Sequence, residues 1–134
     1  MEIATGYFAK SKAYSDNGYA LVSIALKCPW FLPANLCLSH YQWLYPTPEI
    51  LKLKDSPPDY TYRYTTEILY KLQPGSVYQD LEKIANEEQK DKVVLMCYEA
   101  PDKFCHRHIV SHWLEQELGI DVNEVIINSN GKQK

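Results

Sequence analysis

The chain has 134 residues, of which 46% are hydrophobic, with a net charge of -3 and a pI near 5.8. That bounds it to one domain, residues 1–134, able to bury roughly two-thirds of its unfolded surface. The acidic balance argues against a generic nucleic-acid binder, which should be basic. Four cysteines without paired spacing, no signal peptide and no long apolar segment place it in a reducing cytoplasm, without a membrane partner.

In chain order, residues 2–8 read as a first strand and residues 19–26 as a second, with Tyr14-Ser15-Asp16-Asn17-Gly18 a turn-rich link between them. The link is short for a crossover helix, yet a parallel pair is expected over a loose hairpin. Residues 28–58 hold six of the eight prolines together with Trp30, Phe31, Trp43 and Tyr45. That composition predicts a packed, irregular excursion, in which only Pro48-Glu49-Ile50-Leu51-Lys52 reads as a helix start, with proline in the first turn.

Two helices are predicted next. Asp59 can cap the first, whose Tyr60, Tyr64, Ile68 and Leu72 form a stripe at four-residue spacing and whose Arg63 can pair with Glu67. Ser76 with Gln79 is a capping-box start for the second, which turns Val77, Leu81, Ile84 and Ala85 inward and runs to Lys90. A final helix stops near Gly119, residues 122–127 read as a last strand, and residues 128–134 as a frayed polar tail. The eleven tyrosines could stack on bases, but half-buried packing is their commoner use.

The richest stretch is Val93-Val94-Leu95-Met96-Cys97-Tyr98-Glu99-Ala100-Pro101-Asp102-Lys103-Phe104-Cys105-His106-Arg107-His108. Its apolar start predicts a strand buried on both faces. Pro101-Asp102 predicts a helix entry capped by Asp102, which places Cys105, His106 and Arg107 in or just past the first turn. At about 100° per residue, Ile109, Val110, Trp113 and Leu114 share the buried face, with His106 near its middle and His108, His112 and Glu115 on the opposite side.

Open helix amides and a neighbouring guanidinium favour a thiolate, so Cys105 is a candidate nucleophile; ordinary packing of Cys97 and Cys105 as buried thiols is the competing reading. Arg107 is a fork of donors where an anion would sit, unless Glu99 holds it in a salt bridge. His106 is expected to be needed for function, with hydrogen bonding to a strand carbonyl as its structural alternative. The spacing Cys105-x2-His108-x3-His112 suggests a metal stripe, but zinc usually draws ligands from two separated segments and none complements this one. No metal site is therefore expected.

Cys-Tyr-Glu after a buried strand, and Cys-His-Arg opening a helix, resemble the domain-of-unknown-function 488 family. The resemblance extends to Thr5-Gly6-Tyr7-Phe8-Ala9, Val22-Ser23-Ile24-Ala25, Leu44-Tyr45-Pro46-Thr47-Pro48-Glu49 and Arg63-Tyr64. Gly6 departs from the usual serine, and residues 37–41 follow no family pattern. The resemblance implies a three-layer α/β domain, in line with a mostly parallel sheet of about four strands flanked by helices.

Such sheets bind ligands beyond the carboxyl ends of their strands. The expected site therefore has Cys105, His106 and Glu99 as catalytic groups and Arg107, Lys27, Tyr7, Cys97 and Tyr98 as ligand contacts. The expected activity is that of a small enzyme acting on an anionic, nucleotide-like or phosphorylated molecule, and the residues name no cofactor. A binding module without turnover, or a protein or nucleic-acid partner for an exposed Pro-rich excursion, are the alternatives.

Overall fold

The computed structural model describes residues 1–134. A five-stranded sheet runs β3-β2-β4-β1-β5, built from β1 (Glu2–Tyr7), β2 (Ala20–Ser23), β3 (Leu38–His40), β4 (Lys92–Cys97) and β5 (Val122–Glu124), and every pairing is parallel. The helices are α1 (Ser11–Asp16), α2 (Pro48–Leu51), α3 (Pro57–Glu67), α4 (Pro74–Glu87) and α5 (His106–Leu118). The α/β class is as the sequence predicts, with one strand more. That strand, β3, lies in the segment where the sequence shows no pattern, and only Leu38, Ser39 and His40 form it.

Alternation along β4 sorts the core into two layers. Val93 and Leu95 face a cluster with Tyr60 and Tyr64 of α3, Leu81 of α4 and Val110 and Leu114 of α5. Val94 and Met96 face a second cluster with Phe8, Tyr14, Tyr19 and Val125. A strand buried on both faces must be apolar on both, which explains the unbroken run from Val93 to Met96. The predicted pairing of the first two strands is corrected in detail: β1 and β2 are parallel but not neighbours, because β4 lies between them.

Local boundaries differ from the sequence reading for stated reasons. The link after β1 folds as α1, and Tyr14 becomes a fully buried side chain rather than part of a turn. Ser56, not Asp59, is the N-cap of α3; its hydroxyl donates to the Asp59 carboxylate at 2.8 Å, and prolines fill the first positions. Gln73 precedes α4, which begins at Pro74 rather than Ser76, and the helix ends at Glu87. Arg63 does pair with Glu67.

The tail is not frayed. Ile127 bridges Gln133, the Asn128 Oδ1 accepts the amides of Asn130 and Lys132, and Asn17 Oδ1 accepts the Gln133 amide at 3.1 Å. The Pro-rich excursion is only partly packed: Leu44, Ile50 and Pro46 are buried, but Trp30 is 93% exposed and Phe31 and Trp43 also face outward. No helix is long and apolar enough to cross a membrane.

Candidate functional site

The chain leaves β2 toward β3 on one side and leaves β4 toward β5 on the other, so the sheet's connections diverge between β2 and β4. A parallel sheet leaves a crevice at such a point, outside the carboxyl ends of the strands. A cavity of about 260 Å³ occupies it here. Ala25, Leu26 and Lys27 come from the end of β2, and Cys97, Tyr98 and Glu99 from the end of β4. Phe104, Cys105 and His106 line the start of α5, while Pro46, Leu51, Lys54 and Tyr60 close the far side.

The structure thus brings together Lys27, Cys97, Tyr98, Glu99, Cys105 and His106 as the sequence predicts, and leaves out Tyr7 and Arg107. Six contributors are not marked as site residues by the sequence: Ala25, Leu26, Pro46, Leu51, Lys54 and Phe104. Tyr60 reads there as one member of a helix stripe. Its ring meets Phe104 edge-on at 5.1 Å, and this pair forms the aromatic wall. Tyr98, half exposed, packs edge-on against Phe8 at 5.1 Å.

The helix entry is corrected by one turn. Asp102 is exposed in the preceding turn and does not cap α5; Cys105 holds the N-cap position in extended backbone and His106 is the first helical residue. The loop needs residues 98–104 to climb from the strand end to the helix, which moves the start past Asp102. Cys105 is disulfide-bonded to Cys97, its neighbour across the crevice wall. As a disulfide, neither sulfur is a nucleophile; the thiol reading of Cys105 applies to the reduced form.

His106 is buried as predicted, and its Nε2 lies 2.7 Å from the carbonyl oxygen of Ile24, just past β2. A carbonyl only accepts, so Nε2 carries the proton and Nδ1 holds a free lone pair, 3.9 Å from Cys105 Sγ. Burial lowers the imidazole pKa to about 4; the Ile24 bond pulls it up, and the charges of Arg107 and His108 push it further down. The ring is therefore neutral near pH 7. His108, expected to face solvent, is half buried in a groove of about 360 Å³ with His112, and its Nε2 has no partner. Burial lowers its pKa as well.

Arg107 is the main correction. Its side chain is fully buried, with Nε and Nη2 each 3.0 Å from a carboxylate oxygen of Glu124 and Nη1 donating to Cys97 Sγ at 3.2 Å. The partner is Glu124, not Glu99, and no free fork remains for an anion. β5 pairs with β1 and so carries Glu124 under the start of α5, where the Thr5 hydroxyl also donates to it at 2.7 Å.

These features define a doubly wound α/β domain whose single strand-end crevice is walled by aromatic rings and floored by two cysteines and a neutral histidine. The profile of DUF488-N3a, the active DUF488-N3 subclade, matches residues 37–118, more than half of the chain. The protein belongs to this family. The matched stretch includes β3, β4, α5 and most of the crevice. No curated protein and no solved structure matches the chain.

Proposed function

We propose that the protein is a small enzyme acting on an anionic, nucleotide-like or phosphorylated molecule held in the crevice between β2 and β4. The observation that carries this reading is the make-up of that one cavity, which sets cations, rings and reactive groups around a single volume. Lys27 and Lys54 supply positive charge; Tyr60, Tyr98 and Phe104 supply flat apolar surface; Cys105, His106 and Glu99 form the reactive end. Mostly apolar walls with a few convergent polar groups are the usual form of a small-molecule site.

The proton inventory supports catalysis. In the reduced chain, the Nδ1 lone pair of His106 is placed to accept the Cys105 proton, and Glu99 stands exposed at the rim of the same cavity. The description of the matched subclade as active agrees with turnover rather than binding alone. The exposed Trp30 and Phe31 favour a second reading, a protein partner docking beside the crevice.

Native mass spectrometry of the purified full chain tests the main reading. A phosphorylated or nucleotide-like molecule near one equivalent, displaced by inorganic phosphate, is the expected result. Protein that carries no small molecule and responds to neither phosphate nor nucleoside monophosphates would overturn it. Cys105→Ser should then abolish conversion of the captured molecule while keeping its affinity; unchanged conversion would remove Cys105 from the chemistry.

A further inference from the structure

The metal-like spacing in the sequence points to the stripe of Cys105, His108 and His112, and the fold breaks that stripe up. Cys105 turns toward Cys97, while His108 and His112 enter the groove between α3 and α5. A different trio assembles in its place. Cys97 ends β4, Cys105 caps α5 and His106 follows it; all three are buried, and one ligand atom from each lies within 4.8 Å of the others. The second ligand segment missing from the stripe is thus supplied by a strand.

Four further observations suit an ion. The Cα atoms of Cys97 and Cys105 are 7.3 Å apart, outside the usual disulfide range of roughly 4.4–6.8 Å, so the backbone offers the two sulfurs a wider span than a direct bond uses. Cys105 Sγ and His106 Nδ1, at 3.9 Å, are close to the roughly 3.5–3.8 Å edge that tetrahedral Zn–S and Zn–N bonds produce. The Nε2–H of His106 donates to the Ile24 carbonyl, the arrangement by which proteins fix the tautomer of a metal-binding imidazole. Arg107 Nη1 donates to Cys97 Sγ, which favours its thiolate.

We infer that the reduced chain binds a thiophilic divalent cation, zinc by preference, through Cys97 Sγ, Cys105 Sγ and His106 Nδ1, with the remaining coordination position open to the cavity. A water-soluble phosphine opens the S–S bond, taking oxygen from water to become its oxide and leaving two thiols. The cation then displaces both thiol protons and forms two thiolate bonds and one imidazole bond, so two negative sulfurs balance the doubly charged ion. Three protein ligands with one open position is the pattern of catalytic rather than structural zinc. The ion would lie beside the proposed anion pocket, where it can polarise a bound oxygen. The inference goes beyond the proposed function: the cavity can hold an anion with or without the ion, whereas the pairing of the Cys105 thiol with His106 Nδ1 as its proton acceptor belongs to the metal-free reduced chain.

The experiment uses the full chain, reduced with phosphine and freed of metal, and titrated with cobalt and zinc. One equivalent of cobalt should bind with a thiolate-to-metal absorption band, and the disulfide form should bind none. Cys97→Ser and Cys105→Ser should each lose the band, whereas His108→Gln with His112→Gln should keep it. Zinc should also slow alkylation of Cys97 and Cys105 roughly tenfold while leaving the exposed Cys28 and Cys37 unprotected. This last readout needs no variant, so it stands even if the cysteine substitutions misfold. No stoichiometric uptake by the reduced wild type, equal alkylation with and without zinc, or a band that depends on His108 and His112 would each overturn the site. None of these outcomes touches the proposed function, which phosphate and nucleotide binding to metal-free protein tests separately.

Discussion

The carboxyl edge of the sheet behaves differently on the two sides of β4. Toward β2 it opens: Lys27 and Glu99 reach solvent, and a cavity remains between the strand ends. Toward β1 and β5 it is closed, because Arg107 and Glu124 fill the space with a two-pronged ion pair and Thr5 adds a hydrogen bond. The triplet at the start of α5 straddles this divide, with Cys105 and His106 turned to the open side and Arg107 to the closed one. Adjacent residues of one motif thus separate into a crevice-lining pair and a support. The support reaches the crevice through one contact, Arg107 to Cys97.

Breaking the closed side should cost the most. Arg107→Ala leaves the Glu124 carboxylate, whose side chain is only 15% exposed, without its cation, and loss of one partner from a buried pair costs about 3–5 kcal/mol. Chemical denaturation of the reduced variant measures this. A loss under 1 kcal/mol would mean that Glu124 relaxes into water and that the closed side is not held by the pair. Replacing both residues by apolar side chains of similar size should recover much of the stability.

The boundary residue His106 predicts a pH dependence. Its folded pKa, near 4, lies below the ordinary value of 6.5, so between these values the unfolded chain binds a proton that the folded chain does not. Stability from this group is fully present above pH 6.5 and falls as pH drops toward 4, by about 3 kcal/mol in all. His106→Asn should flatten that part of the profile. An equally steep acid limb in the variant would assign it to other groups.

Gly6 sharpens the comparison from the floor of the closed side. A Cβ at this position would sit 2.5 Å from the ring of Tyr14, which is fully buried and whose OH accepts the Tyr7 amide at 3.1 Å. The space that a side chain at this position would take is filled here by a tyrosine ring. Gly6→Ser should therefore destabilise by about 1–3 kcal/mol, the usual cost of overpacking. Joined with Tyr14→Leu, which removes the crowding ring, it should cost less than on its own. Equal costs in both backgrounds would mean that the ring moves freely.

How much of this could be read in sequence follows from how far apart the partners lie. The run from Val93 to Met96, the inward turn of His106 and the stop at Gly119 depend on neighbours a few residues away, and all three are present. Arg107 is legible as a residue at the start of the last helix, but its partner needs the order β4-β1-β5, which no local pattern encodes. The same holds for Lys54 and Phe104, which line one crevice only because the turn after α2 and the start of α5 converge on it. β3 was missed because three residues at a sheet edge carry too little periodicity to register.

The smallest expected effect belongs to the open side and bears most directly on its ligand. Lys27 is exposed, so its removal exposes no buried charge and should leave the melting temperature unchanged. If an anion binds in the crevice, its contact with Lys27 is charge-assisted but bathed in solvent, which limits the contribution to about 1 kcal/mol, or roughly fivefold in affinity. Lys27→Ala should weaken inorganic phosphate binding by that amount in calorimetry, with a shallower salt dependence, and Lys54→Ala should do likewise. Phosphate binding untouched by both substitutions would place the anion elsewhere. Binding lost with Arg107→Ala alone, in protein that remains folded, would mean that the ion pair opens and that the two sides of β4 are not independent.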